Sequence, residues 1–260
     1  MRSPRFLHQQ GTTSRLAYAA GTTAGTSRDV NDDVFAIFDD VNTAVVVDGC
    51  GGVSAGNYAA KQTIDCFREI LRDRRDSRRT MHVHALEPLA VAIMEANKRI
   101  FRAASANTAL RGQSAALSAV RAFEQGLAIA HVGDCRVAHY RHRVLTWLTE
   151  DHSLLSEMRR IEAPRDEIAA AEKAYPNVIT RAIGLGEHIV TDVTYHPASP
   201  GDMYLLCSDG LSRQLRRERI TEVIEQHAAD LRACCAALLD ASEAAGGRDN
   251  ATVILLRLHA

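Results

Sequence analysis

Three apolar runs in this sequence stop at an aspartate: Ala44–Val47 before Asp48-Gly49, Ile129–Val132 before Gly133-Asp134, and Leu205–Ser208 before Asp209-Gly210. A fourth aspartate, in Gly246-Gly247-Arg248-Asp249-Asn250, stands immediately before the apolar run that ends the chain. Glycine close to each lets the backbone turn sharply where the carboxylate is presented. Like charges brought together repel, so convergence of these acids would raise their pKa values or demand cations. An all-oxygen donor set of this kind selects Mg²⁺ or Mn²⁺ over zinc. Asp and Gly also end strands simply because both favour turns, and for any one of the four positions that explanation stands beside the chemical one.

Ahead of the first aspartate lies Arg28-Asp29-Val30-Asn31-Asp32-Asp33. A guanidinium beside a metal–carboxylate cluster is a natural two-point clamp for phosphate oxygens. The alternative is a solvated loop with a surface ion pair.

The elements that must position these residues follow from periodicity. Val34–Phe38 and Thr43–Val47, joined by Asp39, Asp40 and Asn42, predict a hairpin. Two amphipathic helices follow, one on Ala59, Cys66, Phe67, Ile70 and Leu71, the other on Leu86, Leu89, Ile93, Ile100 and Phe101. Strands are expected at Ala115–Phe123, Gly126–Val132, Arg136–Tyr140 and Val144–Leu148. Ser153–Tyr175 is charged and bounded by Pro164 and Pro176, which predicts a mobile insert with one short helix that could cover a site. Strands at His188–Tyr195 and Asp202–Cys207, two helices on Ile220–His227 and Leu231–Leu239, and a last strand Ala251–Leu258 complete the chain. Residues 1–13 are polar and aperiodic and read as a flexible leader. Strands in runs, with helix pairs between them, favour an α+β sandwich of antiparallel sheets with helices outside over a doubly wound sheet.

Composition narrows the function classes. The 260 residues carry 31 Lys+Arg against 32 Asp+Glu and are 46% hydrophobic, as in an ordinary globular protein. A net charge of -1 gives no bulk attraction for nucleic acid or anionic membrane. No apolar run approaches the roughly 18 residues of a membrane span, and the first 23 residues lack a signal-peptide core, so a cytoplasmic protein is expected. The six cysteines show no C-x-x-C spacing and predict neither zinc site nor disulfide.

Taken in order from about Leu16 to Leu258, these segments resemble the metal-dependent protein serine/threonine phosphatases of the protein phosphatase 2C (PPM) type. Arg28–Asp33 resembles R-x-x-N-[ED]-D, Asp48–Gly52 resembles D-G-x-G-G, Gly133–Arg136 resembles G-D-S-R, and Thr149–Ser153 resembles T-x-D-H-S. Asn177–Gly184 resembles N-x-[IL]-T-R-x-[IL]-G, and Ser208–Leu211 and Gly247–Thr252 complete the set. Each motif is weak alone, and seven in the right order are specific.

The resemblance implies a four-layer α-β-β-α sandwich with helix pairs outside two antiparallel sheets, and one catalytic domain over residues 14–260 with a flap at about 153–176. It implies two Mn²⁺ or Mg²⁺ ions: Asp48 bridging both, the Gly49 carbonyl, Asp209 and Asp249 in direct contact, and Asp32 acting mainly through metal-bound water. Asp33 and Asn250 would support the ligands, and Arg28 would hold the substrate phosphate. Asp134 resembles a ligand of a weaker third ion shared with Asp209, although Arg213 stands where some relatives have another acid. Two ions about 3.5–4 Å apart can acidify a water and stabilise in-line displacement at phosphorus.

The implied activity is hydrolysis of phosphoserine and phosphothreonine in proteins by a monomer opposing a Ser/Thr kinase, with phosphoproteins and such a kinase as partners. The alternative is a non-catalytic module on the same fold that binds a phosphoprotein or kinase. A hydrolase of small phosphate esters would use the same centre. Cys50 is a poor nucleophile, since carboxylates raise a thiol pKa and no C-x5-R loop follows. His82 and His84 read as a helix start or surface pair. The Gly49–Gly56 stretch breaks G-x-G-x-x-G at Ser54, and Arg68–Arg79 reads as a solvated basic helix end interleaved with Asp73 and Asp76.

Overall fold

The computed structural model describes residues 7–51, 55–72, 82–124 and 126–259. In chain order the strands are β1 (Leu7–Thr12), β2 (Leu16–Thr23), β3 (Val34–Phe38), β4 (Thr43–Cys50), β5 (Ser114–Phe123), β6 (Gly126–Val132), β7 (Arg136–Arg141), β8 (Val144–Trp147), β9 (Asp192–Pro197), β10 (Met203–Cys207) and β11 (Ala251–Leu258). The helices are α1 (Ala55–Arg72), α2 (His82–Ala106), α3 (Leu154–Arg160), α4 (Arg165–Ala174), α5 (Asp209–Ser212), α6 (Arg217–His227) and α7 (Leu231–Ala244).

One sheet has the order β1-β2-β11-β10-β7-β8 and the other β3-β4-β5-β6-β9. All of the pairings are antiparallel. Alternation along each strand sends side chains to two different cores. Val45 and Val47 of β4 join Phe67, Leu89 and Ile93 of α1 and α2, while Val46 and Ala44 point the other way, into the layer between the sheets with Leu206 and Ile254. On the far side Leu205, Val253 and Leu255 pack on Val223, Leu238 and Leu239 of α6 and α7. The order is therefore helix pair, sheet, sheet, helix pair, as the resemblance implies. Because strands buried on both faces have no polar side, β5 and β6 are buried at every position.

Four expectations need correction. Within the segment expected to be flexible, Leu7–Thr12 is a strand that pairs with β2 from Leu7↔Thr22 to Thr12↔Ala17, and residues 1–6 lie outside the described residues. From His8 to Thr12 the strand's side chains are mostly exposed, so the backbone ladder holds it and no apolar alternation marks it in the sequence. The 153–176 segment carries two helices, not one. Pro164 stands at the N-cap position of the second, where its missing N–H leaves no bond unmade and its carbonyl accepts from Ile168 N–H at 3.0 Å, and Asp166 and Glu167 in the first turn with Lys173 in the last complement the helix dipole. Strand β9 begins at Asp192 instead of His188, so part of that apolar stretch is loop. Pairing along β4 runs beyond Val47 to Cys50, which places Asp48 opposite Ala116 and Gly49 opposite Ala115. The H-x-H pair lies in the first turn of α2, which begins at His82, and Arg74, Arg75, Arg78 and Arg79 lie outside the described residues.

The register puts the chemistry at one end. The last residues of β4, β6 and β10 and the first of β11 meet there, because β4 pairs with the start of β5, β5 with β6, and β10 with β11. Asp48, Asp134, Asp209 and Asp249 are thus delivered by four different elements to the same rim.

Candidate metal centre

At that rim a cleft of about 670 Å³ is lined by Arg28, Asp32, Asp48, Gly49, Cys50, Asp134, Asp209, Arg213, Asp249 and Asn250. Every residue predicted for the site lines it except Asp33, which lies buried underneath. Sequence reasoning left out Ser27, Ser114 and Leu185, which also line it, and gave no role to Asn177 and Ile179, which bring the base of the 153–176 segment to the cleft wall. That base is tied down: Leu154 N–H donates to Val178 O at 2.9 Å and Thr180 N–H to His152 O at 2.7 Å.

Two close approaches bring the acids in. A Cβ on Gly210 would lie 1.9 Å from the Asn250 carbonyl oxygen, so only glycine lets α5 seat beside the start of β11. Gly133, at φ +95°, turns the chain from β6 into Asp134, and a Cβ there would meet Ala116 Cβ at 2.4 Å.

Asp33 is 5% exposed, and its Oδ2 accepts from Ser208 Oγ at 2.6 Å and Thr252 Oγ1 at 2.7 Å. Asn250 ties the Arg28 loop to β11: its Oδ1 accepts from Asp32 N–H at 2.9 Å, and its Nδ2 donates to Val30 O at 2.9 Å and Ala24 O at 3.1 Å. At the mouth, Arg28 pairs with Asp249, Nη2 to Oδ2 at 3.0 Å and Nε to Oδ1 at 3.0 Å.

The electrostatics are those of crowded acids. Burial, then the nearby carboxylates of Asp33, Asp209 and Asp134, push Asp48 well above the usual carboxylate range. Burial likewise raises Asp33 and Asp134 to about 7, and it raises Asp32 and Asp209. Burial and then Asp48 push the Cys50 thiol up, which removes it as a thiolate nucleophile.

The donors fit divalent metal in number and kind. Carboxyl groups crowded into one buried site need protons or cations to neutralise them. Asp32 Oδ1 and Asp33 Oδ1 are buried with no hydrogen-bond partner among the described residues. Among those residues no three acidic, histidine or cysteine side chains close on a single point as they stand; Arg28 pairs with Asp249, and Arg213 with Asp209 and Asp134. A metal at Asp249 therefore competes with Arg28 for the same carboxylate.

A family profile for protein phosphatase 2C matches residues 20–246. The chain belongs to the protein phosphatase 2C family. It is 29% identical over 240 residues to the serine/threonine phosphatase stp of Listeria monocytogenes, covering 90% of this chain and 93% of that protein. The structure of the Streptococcus agalactiae serine/threonine phosphatase superposes with a TM-score of 0.85 at 27% identity, covering 94% of this chain and all of that one. The catalytic domain of the phosphatase PstP in complex with two manganese ions superposes with a TM-score of 0.81 at 26% identity, over 95% of this chain and 99% of that one. Among the described residues of this family member no helix is long and apolar enough to cross a membrane.

Proposed function

We propose that this cleft removes phosphate from phosphoserine and phosphothreonine side chains of proteins, using two divalent cations. Membership of the protein phosphatase 2C family makes the chain a serine/threonine protein phosphatase. The observation that carries the mechanism is that Asp32, Asp48, Asp134, Asp209 and Asp249 line one cleft, with Arg28 at its mouth.

Asp48, Asp209 and Asp249, with the Gly49 carbonyl and Asp32, are the residues that would hold the ions. Manganese or magnesium bound there would supply positive charge and a water acidic enough to attack phosphorus at neutral pH. Arg28 binds two phosphate oxygens through the same Nε and Nη2 edge that now meets Asp249, which orients the ester for in-line displacement. Asp33 keeps Ser208 and Thr252 fixed and so fixes the turn that carries Asp209. Asn250 locks the Asp32 backbone to β11. Among the described residues the lining contains no histidine, so the proton for the departing alkoxide comes from water. Attack by water needs no covalent phosphoenzyme, and the raised Cys50 thiol is no competing nucleophile.

The partners this implies are phosphorylated proteins and the Ser/Thr kinase whose products they are. Phosphate release with manganese tests the substrate class. A phosphothreonine peptide should turn over and a phosphotyrosine peptide of the same sequence should not. Equal rates on both, or turnover of p-nitrophenyl phosphate alone, would point to a general phosphate-ester hydrolase.

A further inference from the structure

Arg213 follows Asp209 by four residues, one turn along, and its N–H donates to the Asp209 carbonyl at 2.8 Å. That spacing returns its side chain to the face that carries Asp209. Its Nη2 donates to Asp134 Oδ2 at 2.6 Å, while Nη1 lies 3.2 Å from Asp209 Oδ2. One guanidinium thus spans two carboxylates from different elements, and it does so at depth: the side chains of Asp134, Asp209 and Arg213 are 6%, 14% and 28% exposed.

Asp134 and Asp209 are the pair that the family resemblance assigns to a third divalent ion. The residues present do not fit one. The Oδ2 atom of each acid is engaged by the guanidinium, a positive charge built into the chain. An ion between the same two oxygens would sit against that fixed charge. An additional acid at position 213, which would favour an ion, is replaced by the opposite sign.

We propose that Arg213 is the resident cation of this corner, so that the cleft takes two divalent ions and not three. The proposal rests on the reading of Asp48, Asp209 and Asp249 as ligands of the two ions. Arg213 is a positioning residue: it neutralises Asp134 and holds one oxygen of Asp209, and it does this at any manganese concentration. Where an ion in that position would come and go, the guanidinium is permanent.

The test counts manganese bound to the full chain, by calorimetry and by metal analysis after gel filtration. The wild type should hold two ions, Arg213→Asp should hold a third and weaker one, and adding Asp134→Asn to Arg213→Asp should return the count to two. Three ions in the wild type, falling to two with Asp134→Asn alone, would overturn the proposal whether or not Arg213→Asp folds. A folded Arg213→Asp protein that stays at two would also overturn it. No ions in the wild type would sink the two-ion reading itself, an outcome distinct from either.

Discussion

Arg28 and Asp249 meet through two parallel contacts at the mouth of the cleft, with the arginine 56% and the aspartate 39% exposed. The pair joins a phosphate-binding candidate to a metal-ligand candidate, so the two tasks share one carboxylate. Removing the guanidinium should therefore separate them. Arg28→Ala is expected to lower kcat/KM on a phosphothreonine peptide roughly 10–100-fold, the loss of a charge-assisted two-point contact. Manganese affinity, measured by calorimetry, should hold or tighten, since Asp249 loses its competitor. Weakened manganese binding in a folded variant would show that Arg28 supports the metal ligands instead.

Thr252 and Ser208 satisfy the one oxygen of buried Asp33 that has partners. Thr252→Val keeps the shape and deletes both the hydrogen bond to Asp33 and the one its hydroxyl shares with Thr22 Oγ1 at 2.7 Å, which should cost about 1.5–3 kcal/mol of stability in denaturant unfolding. A change within about 0.5 kcal/mol would mean that Asp33 is held by packing alone.

Gly210→Ala would force a methyl group into the Asn250 carbonyl, which is backbone and cannot step aside. The expected result is destabilisation by about 1–3 kcal/mol or more and loss of manganese affinity, because α5 carries Asp209 away from β11. Unchanged melting and metal titrations would contradict the close packing of these two turns.

Acid sensitivity has an identifiable source in His131. The ring is 2% exposed, its Nε2 lies 2.9 Å from the Glu150 carbonyl, which can only accept, and its centroid is 4.6 Å from that of His152. Burial first, then His152, lower its pKa from 6.5 to about 4. The folded state thus resists a proton that the unfolded chain takes up, so this group costs nothing above pH 6.5 and destabilises progressively as pH falls to about 4. The full effect is on the order of 3 kcal/mol. Unfolding free energies of wild type and His131→Asn, compared from pH 7 to pH 4, should diverge with the wild type losing more. Parallel curves would contradict a neutral buried imidazole.

The antiparallel sandwich with helices outside was legible because strand runs and helix stripes are written in side chains, whereas the four-layer order came from the family resemblance; the continuous apolar run Ala44–Val47 belongs to a strand buried on both faces. Strand β1 was not legible, since it is held by backbone pairing and Leu7–Thr12 shows no alternation. The second helix of the 153–176 segment was hidden by Pro164, which reads as a break yet stands at the N-cap position of α4. The acids themselves were visible at strand ends, but their partners were not. Nothing in a one-dimensional string shows that Arg28 reaches Asp249 across the chain, or that Arg213 spans Asp134 as well as its neighbour Asp209. Ser208 and Thr252 are ordinary hydroxyl residues until the fold aims both at Asp33.

The central claim is that Asp48 and its neighbours hold the ions that make this cleft a phosphatase. The most direct measurement is phosphate release from a phosphothreonine peptide at saturating manganese by wild type and by a folded Asp48→Asn variant, each repeated in EDTA. A wild-type rate abolished by EDTA and a variant slower by about a thousandfold or more is the predicted result. A variant within tenfold of wild type, or a wild type at full rate in EDTA, would contradict it.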